Sequence, residues 1–115
     1  MSGRPTVLVT GAAGFAGSHL LDVLLARNCR VVGLRRPGIG AEVQARYPRV
    51  EWLEIELLDR DVVRHTLAGI APDVLYHLAG APHAGHSWGA STDALAINAL
   101  ATHHVLEGIR VAGLR

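Results

Sequence analysis

No lysine occurs in the 115 residues; all eleven basic side chains are arginines. Cysteine is limited to Cys29, which excludes an internal disulfide and a cysteine-based zinc site and makes a reducing cytoplasm the expected setting. Charge is sparse and balanced, at 18% charged residues and a net +1. With no basic run, neither a nucleic-acid backbone nor an anionic membrane surface is an expected partner, since both need clustered cations. No apolar stretch approaches the roughly 20 residues of a membrane span. The amino-terminal segment has no long apolar core or small-residue cleavage site of the secretory kind.

What remains is a half-hydrophobic chain of a size to bury one core. Thr6 to Thr10 is β-branched and leucine-rich and reads as a buried strand, followed by glycines and an amphipathic helix over 15–28 carrying Leu20, Leu21, Leu24 and Leu25 on one stripe. A second strand is expected over 30–34, ended by Pro37 and Gly38, then a weak helical turn over 41–47. A third strand is expected over 50–57. Asp59 is placed to cap a helix bearing Val62, Val63, Leu67 and Ile70, with Gly69 and Pro72 as its stop. A fourth strand over 73–78, a loop over 79–89 and a long helix over 91–111 complete the pattern. Strand and helix alternate four times through short links, which predicts an α/β fold: a Rossmann-type, doubly wound parallel sheet. The whole of 1–115 reads as one partial domain of this kind, ending after the fourth β/α unit.

Gly11, Gly14 and Gly17 follow the first strand and open the first helix, a context that gives a glycine pattern chemical meaning. The first glycine permits the turn, the second lets backbone approach a pyrophosphate, and the third allows close helix packing. Free amides and the helix dipole then favour the anion. Gly11, Ala13, Gly14, Phe15, Ala16 and Gly17 are therefore the candidate phosphate contacts. A phosphate loop of the Gly-Lys-Ser/Thr type is excluded by the absence of lysine.

The end of the second strand is where such a fold carries an acid for the ribose 2′-hydroxyl or a cation for a 2′-phosphate. Here it carries Arg35 and Arg36, and no carboxylate occurs between Asp22 and Glu42. A guanidinium forks onto phosphate, so NADP is the expected cofactor and NAD the less favoured one. His83 and His86 are three apart in a loop without a carboxylate. Two ligands do not make a metal site, and none is expected. His103 and His104 point about 100° apart on a helix and read as structural.

The run Thr10-Gly11-Ala12-Ala13-Gly14-Phe15-Ala16-Gly17 resembles the Thr-Gly-x-x-Gly-Phe-x-Gly of the extended short-chain dehydrogenases/reductases. The best fit is the NAD(P)-dependent sugar-nucleotide epimerases and dehydratases, of the GDP-mannose 4,6-dehydratase kind, whose members similarly carry arginines after the second strand. The resemblance covers the whole chain. It implies that Glu56 and Leu57 touch the adenine, that Leu78, Ala79 and Gly80 line the cofactor pocket, and that Asn98 stands beside the cofactor. It implies that His83 and Ser87 lie on the substrate side, with a nucleotide sugar as partner, and that helix 91–111 joins a homodimer interface, packing in the core alone being the alternative for that helix. Ala81 and Pro82 depart from the Gln-Ser often found there, so the sugar's identity does not carry over.

The family's chemistry resembles a hydride transfer at sugar C4 assisted by a Tyr-x-x-x-Lys pair, whose lysine makes phenolate accessible. Tyr47 and Tyr76 are followed four residues later by Glu51 and Gly80, so no catalytic residue is assigned within the chain. The expectation is an amino-terminal part of a larger dehydratase, epimerase or reductase, inactive alone. A non-catalytic NADP-sensing regulator of the same fold is the alternative.

Overall fold

The computed structural model describes residues 3–79 and 91–114, with side chains in the last helix from Leu95 onward. Four strands, β1 (Thr6–Thr10), β2 (Arg30–Arg35), β3 (Glu51–Glu54) and β4 (Val74–His77), alternate with helices α1 (Phe15–Leu25), α2 (Ala41–Arg46), α3 (Arg60–Ile70) and α4 (Ser91–Val111). The strands form one sheet in the order β3-β2-β1-β4 with every pairing parallel. This is the expected Rossmann-type arrangement, with the order reversing between β1 and β4.

The period-two alternation of a strand sends residues to two layers. Val7, Val9 and Val31 join Leu21 and Leu24 of α1 on one face. Leu8, Val32 and Leu34 join Val63 and Leu67 of α3 and Val105 of α4 on the other. Leu8 and Leu21 are fully enclosed, each contributing about 1.5–3 kcal/mol by removal from water. Gly33 falls on the α1 face, where a Cβ would meet Ala12, Val50 and Trp52 at 3.1–3.2 Å.

Coverage is uneven at β4. Leu75 packs into the α3/α4 layer, whereas Val74 and Tyr76, on the α1 side of the sheet, are about two-fifths exposed. Among the described residues no helix covers them, so β1 and β2 are buried on both faces and β4 is not.

Several boundaries differ from the sequence pattern. α1 closes at Leu25 with Ala26 as its carboxyl cap, because the Arg27 amide bonds back only three residues, to Leu24 O, at 3.0 Å. β3 is limited to Glu51–Glu54, the stretch in register with Val32–Arg35. Asp59 caps α3 as expected, accepting from the Val62 amide at 3.2 Å. The helix stop is Ala71 in the left-handed region at φ 48°, while Gly69 remains inside the last turn. The left-handed capping position common at helix ends is here filled by alanine, with Pro72 following.

Candidate functional site

The carboxyl ends of β1, β2 and β4 converge on the loop joining β1 to α1. Gly11 has φ +66°, and a Cβ there would lie 2.7 Å from the Ala79 amide nitrogen. The glycine is therefore required both by its left-handed backbone and by the backbone of β4 pressed against it. Gly17 is filled in the same way: a Cβ would sit 2.1 Å from Gly11 O and 2.8 Å from Ala12 Cα. Gly14 differs. It is exposed, and the one atom near an added Cβ is Gly11 O at 3.3 Å, so its other side is open.

Gly14 is also the amino cap of α1, without a side-chain cap and without an acidic residue in the first turn. The Gly14 amide bonds to Gly11 O at 3.0 Å, and the first α1 amide bonded back is that of Ser18, to Gly14 O at 2.8 Å. Phe15, Ala16 and Gly17 amides thus form the helix start, where unpaired N–H groups and the dipole favour an anion. The Phe15 ring is 81% exposed and stands edge-on to His19 at 4.5 Å. The backbone of Phe15 belongs to the helix start, while its ring faces outward.

The exit from β2 abuts this segment. Gly40, at φ +89°, packs so closely on Ala13 that a Cβ would lie 2.4 Å from the Ala13 Cβ. Arg35 holds the loop. Its Nε donates to Gln44 Oε1 at 2.7 Å, its NH1 to Ile39 O at 2.8 Å and its NH2 to Glu54 Oε1 at 3.1 Å. Glu54 Oε2 in turn accepts from the Gly38 amide at 3.2 Å. The Arg35 side chain retains only 10% exposure, with each of its three guanidinium nitrogens engaged in this network. Arg36 is exposed and, among the described residues, its side chain has no hydrogen bond or ion pair. The two arginines that are equivalent in the sequence are therefore different in the structure.

Beyond β3, Glu56 is exposed and its Oε1 accepts from the Leu58 amide at 3.1 Å, closing the turn into α3. Leu57 packs against the layer of Leu8, Leu34 and Val105. Its carbonyl accepts from His104 Nδ1 at 2.8 Å; a carbonyl has no proton to give, so that nitrogen carries the hydrogen. His104 is buried, in keeping with a structural part, whereas His103 is exposed.

Leu78 and Ala79 run beside Gly11, with the Ala79 amide donating to Thr10 Oγ1 at 3.1 Å. His77 Nδ1 lies 2.7 Å from the same hydroxyl, and its Nε2 lies 3.0 Å from Thr102 Oγ1 on α4. Asn98 is half-buried and four residues before Thr102, hence on the same helix face. The structure thus sets the loop that runs from Gly11 through Ala13, Gly14, Phe15 and Ala16 to Gly17 beside Leu78 and Ala79, with the β2–α2 loop that carries Arg36 packed on Ala13 through Gly40. Gly80, His83 and Ser87 lie outside the described residues. Thr10, Gln44, Glu54, His77, Thr102 and His104 complete the surroundings. Sequence spacing carried no signal for their partnerships, which join residues from different strands and helices.

Tyr47 is not placed as a base. The Tyr47 hydroxyl donates to Asp22 Oδ1 at 2.9 Å, and this bond to a carboxylate holds its proton more firmly than usual, the opposite of what phenolate chemistry needs. Among the described residues no three histidine, cysteine, aspartate or glutamate side chains group as metal ligands, and no helix is long and apolar enough to cross a membrane.

Residues 7–115 match the model of the NAD dependent epimerase/dehydratase family. A GDP-mannose 4,6-dehydratase from Sordaria araneosa is 32% identical over 98% of this chain, which spans 22% of that protein. A UDP-glucose 4-epimerase from Mycolicibacterium smegmatis is 34% identical over 94% of the chain and 36% of its own length. Among solved structures, the UDP-glucose 4-epimerase of Thermus thermophilus in complex with NAD superposes with a TM-score of 0.82 at 29% identity, over 96% of this chain and 35% of that one. The chain thus spans about a third or less of these relatives.

Proposed function

The chain belongs to the NAD dependent epimerase/dehydratase family, and from that premise we propose that it holds the adenosine-pyrophosphate half of a nicotinamide dinucleotide, NADP in preference to NAD. The observation that carries this reading is the contrast within the glycine loop. Gly11 and Gly17 are filled by neighbouring backbone, whereas Gly14 faces open space at an uncapped helix start. A pyrophosphate at Gly14 would satisfy the free amides of α1. Leu57, Leu78, Ala79 and Asn98 would line the rest of the dinucleotide, with Glu56 at its edge. When bound, the nicotinamide supplies hydride exchange with a carbon of the substrate.

The preference for NADP rests on Arg36, an exposed guanidinium without an internal partner among the described residues, at the end of β2. Arg35 supports it by fixing the loop. Two observations favour NAD instead: Glu54 brings a carboxylate from β3 beside Arg35, where it offsets one of the two positive charges, and the Thermus thermophilus relative is in complex with NAD. The two readings separate in one experiment. Titration calorimetry with NADP and NAD, repeated on Arg36→Ala, should show a preference for NADP that the substitution removes. Equal losses for both dinucleotides would refute the 2′-phosphate role, and absence of binding by either would refute the cofactor site.

For the protein as a whole, we propose a nucleotide-sugar dehydratase, epimerase or reductase acting by hydride transfer at sugar C4, since the relatives named above act on GDP- and UDP-linked sugars. His83 and Ser87 are its proposed substrate-side residues. These 115 residues contain no Tyr-x-x-x-Lys, so catalysis is assigned to none of them. Leu95 and Leu106, 70% and 61% exposed and eleven residues apart on one stripe of α4, are the proposed contact of a homodimer.

A further inference from the structure

Resting on the dinucleotide reading, we propose that His77 is a positioning residue for cofactor binding: a neutral imidazole protonated on Nε2, tying Thr10 to Thr102 and fixing the glycine loop against Leu78 and Ala79. Three elements meet at this ring, since Thr10 ends β1, His77 ends β4 and Thr102 lies on α4. Thr10 is fully buried, so its hydroxyl must find its partners inside the protein.

The direction of the hydrogen bonds follows from counting protons. The Ala79 amide can only donate, and it occupies one lone pair of Thr10 Oγ1. The hydroxyl has a single proton of its own. Among the described residues, the acceptor within reach is His77 Nδ1, at 2.7 Å. Nδ1 is therefore the bare nitrogen and Nε2 carries the hydrogen, which it donates to Thr102 Oγ1 at 3.0 Å. The relay runs from the Ala79 amide to Thr10, from Thr10 to His77 and from His77 to Thr102. A proton on Nδ1 would take the second lone pair of Thr10 Oγ1 and leave the buried hydroxyl proton without an acceptor among the described residues. Burial acts in the same sense, holding the imidazole below its ordinary pKa and hence neutral.

The relay bears on binding because its first two members touch the glycine loop. Thr10 is bonded to Gly11, and Gly11 lies against Ala79 so tightly that no Cβ fits between them. Binding sites tolerate displacements of only about 0.5 Å. A slack Thr10 would let Gly11 and the α1 amides shift relative to Leu78 and Ala79, and affinity would fall through lost preorganisation.

The test combines a spectrum with three variants. Nitrogen-15 imidazole correlations of the parent chain at neutral pH should show His77 as the Nε2–H tautomer; the Nδ1–H tautomer would overturn the proposal. His77→Asn keeps an acceptor near Thr10, His77→Gln reaches towards Thr102 instead, and His77→Leu keeps neither. NADP dissociation constants should stay within about threefold of the parent for His77→Asn and weaken about tenfold for His77→Gln and His77→Leu, with the Asn and Gln variants melting at similar temperatures. Parent-like affinity in His77→Leu, or equal losses in the Asn and Gln variants, would overturn the positioning role while leaving the dinucleotide site standing. Failure of the parent to bind NADP and NAD would overturn both.

Discussion

The loops that leave β1 and β2 lie side by side, yet they are held by opposite means. The β1–α1 loop is fixed by backbone packed on backbone at Gly11 and Gly17. The β2–α2 loop is fixed by the guanidinium of Arg35, which gathers Gln44, the Ile39 carbonyl and Glu54. One is specified by the absence of side chains and the other by a charged side chain reaching across the sheet. The first leaves no freedom at its base and an open face at Gly14. The second spends one arginine to present another.

The sharpest way to break this contrast is Gly17→Ala, whose Cβ would fall 2.1 Å from a carbonyl oxygen that cannot step aside. We expect a loss of about 3 kcal/mol or more in urea unfolding; a loss below about 1 kcal/mol would show that the loop yields. Gly40→Ala should follow, at about 2 kcal/mol, from its positive φ and its contact with Ala13. Pairing it with Ala13→Gly should restore the steric share and leave the backbone share, and a double variant no better than the single would assign the whole cost to φ.

Arg35→Met retains the apolar stem and removes the network. It should cost about 1–2 kcal/mol, and Glu54→Gln less, because that carboxylate is half exposed and solvent weakens its pairing. A shallower effect is expected from pH. The folded-state pKa of His77 lies below its ordinary value of 6.5, so the unfolded chain takes up the proton first. The stabilisation from neutral His77 is complete above that ordinary value and is lost as pH falls from there through the folded pKa. Unfolding midpoints of the parent and of His77→Asn, followed downward from pH ~7, should diverge in that window, and parallel curves would contradict the assignment.

Legibility in the sequence divides along the same line. β1 and the Asp59 cap could be read because their causes lie within a few neighbouring residues: β-branched runs and a side chain three positions from its partner. The glycine spacing likewise exposed the turn that Gly11 and Gly17 make. Helix and strand ends were less legible. α1 stops before Asn28 through a local turn, and α3 ends on a left-handed Ala71 where Gly69 offered the stronger signal. Arg35 and Arg36 were indistinguishable in the sequence, because what separates them is register with Glu54, 19 residues away. The Thr10–His77 bond joins residues 67 apart, and no spacing rule encodes it.

Arg36→Ala should leave stability within about 0.5 kcal/mol of the parent, the smallest structural effect of the set, and for that reason it isolates binding. Calorimetric titration of NADP and NAD into the parent and this variant is the most direct test of the cofactor site. NADP should bind about tenfold more tightly than NAD in the parent, a difference of about 1.4 kcal/mol, and the two should become equal in Arg36→Ala. A parent that binds neither dinucleotide would contradict the cofactor site.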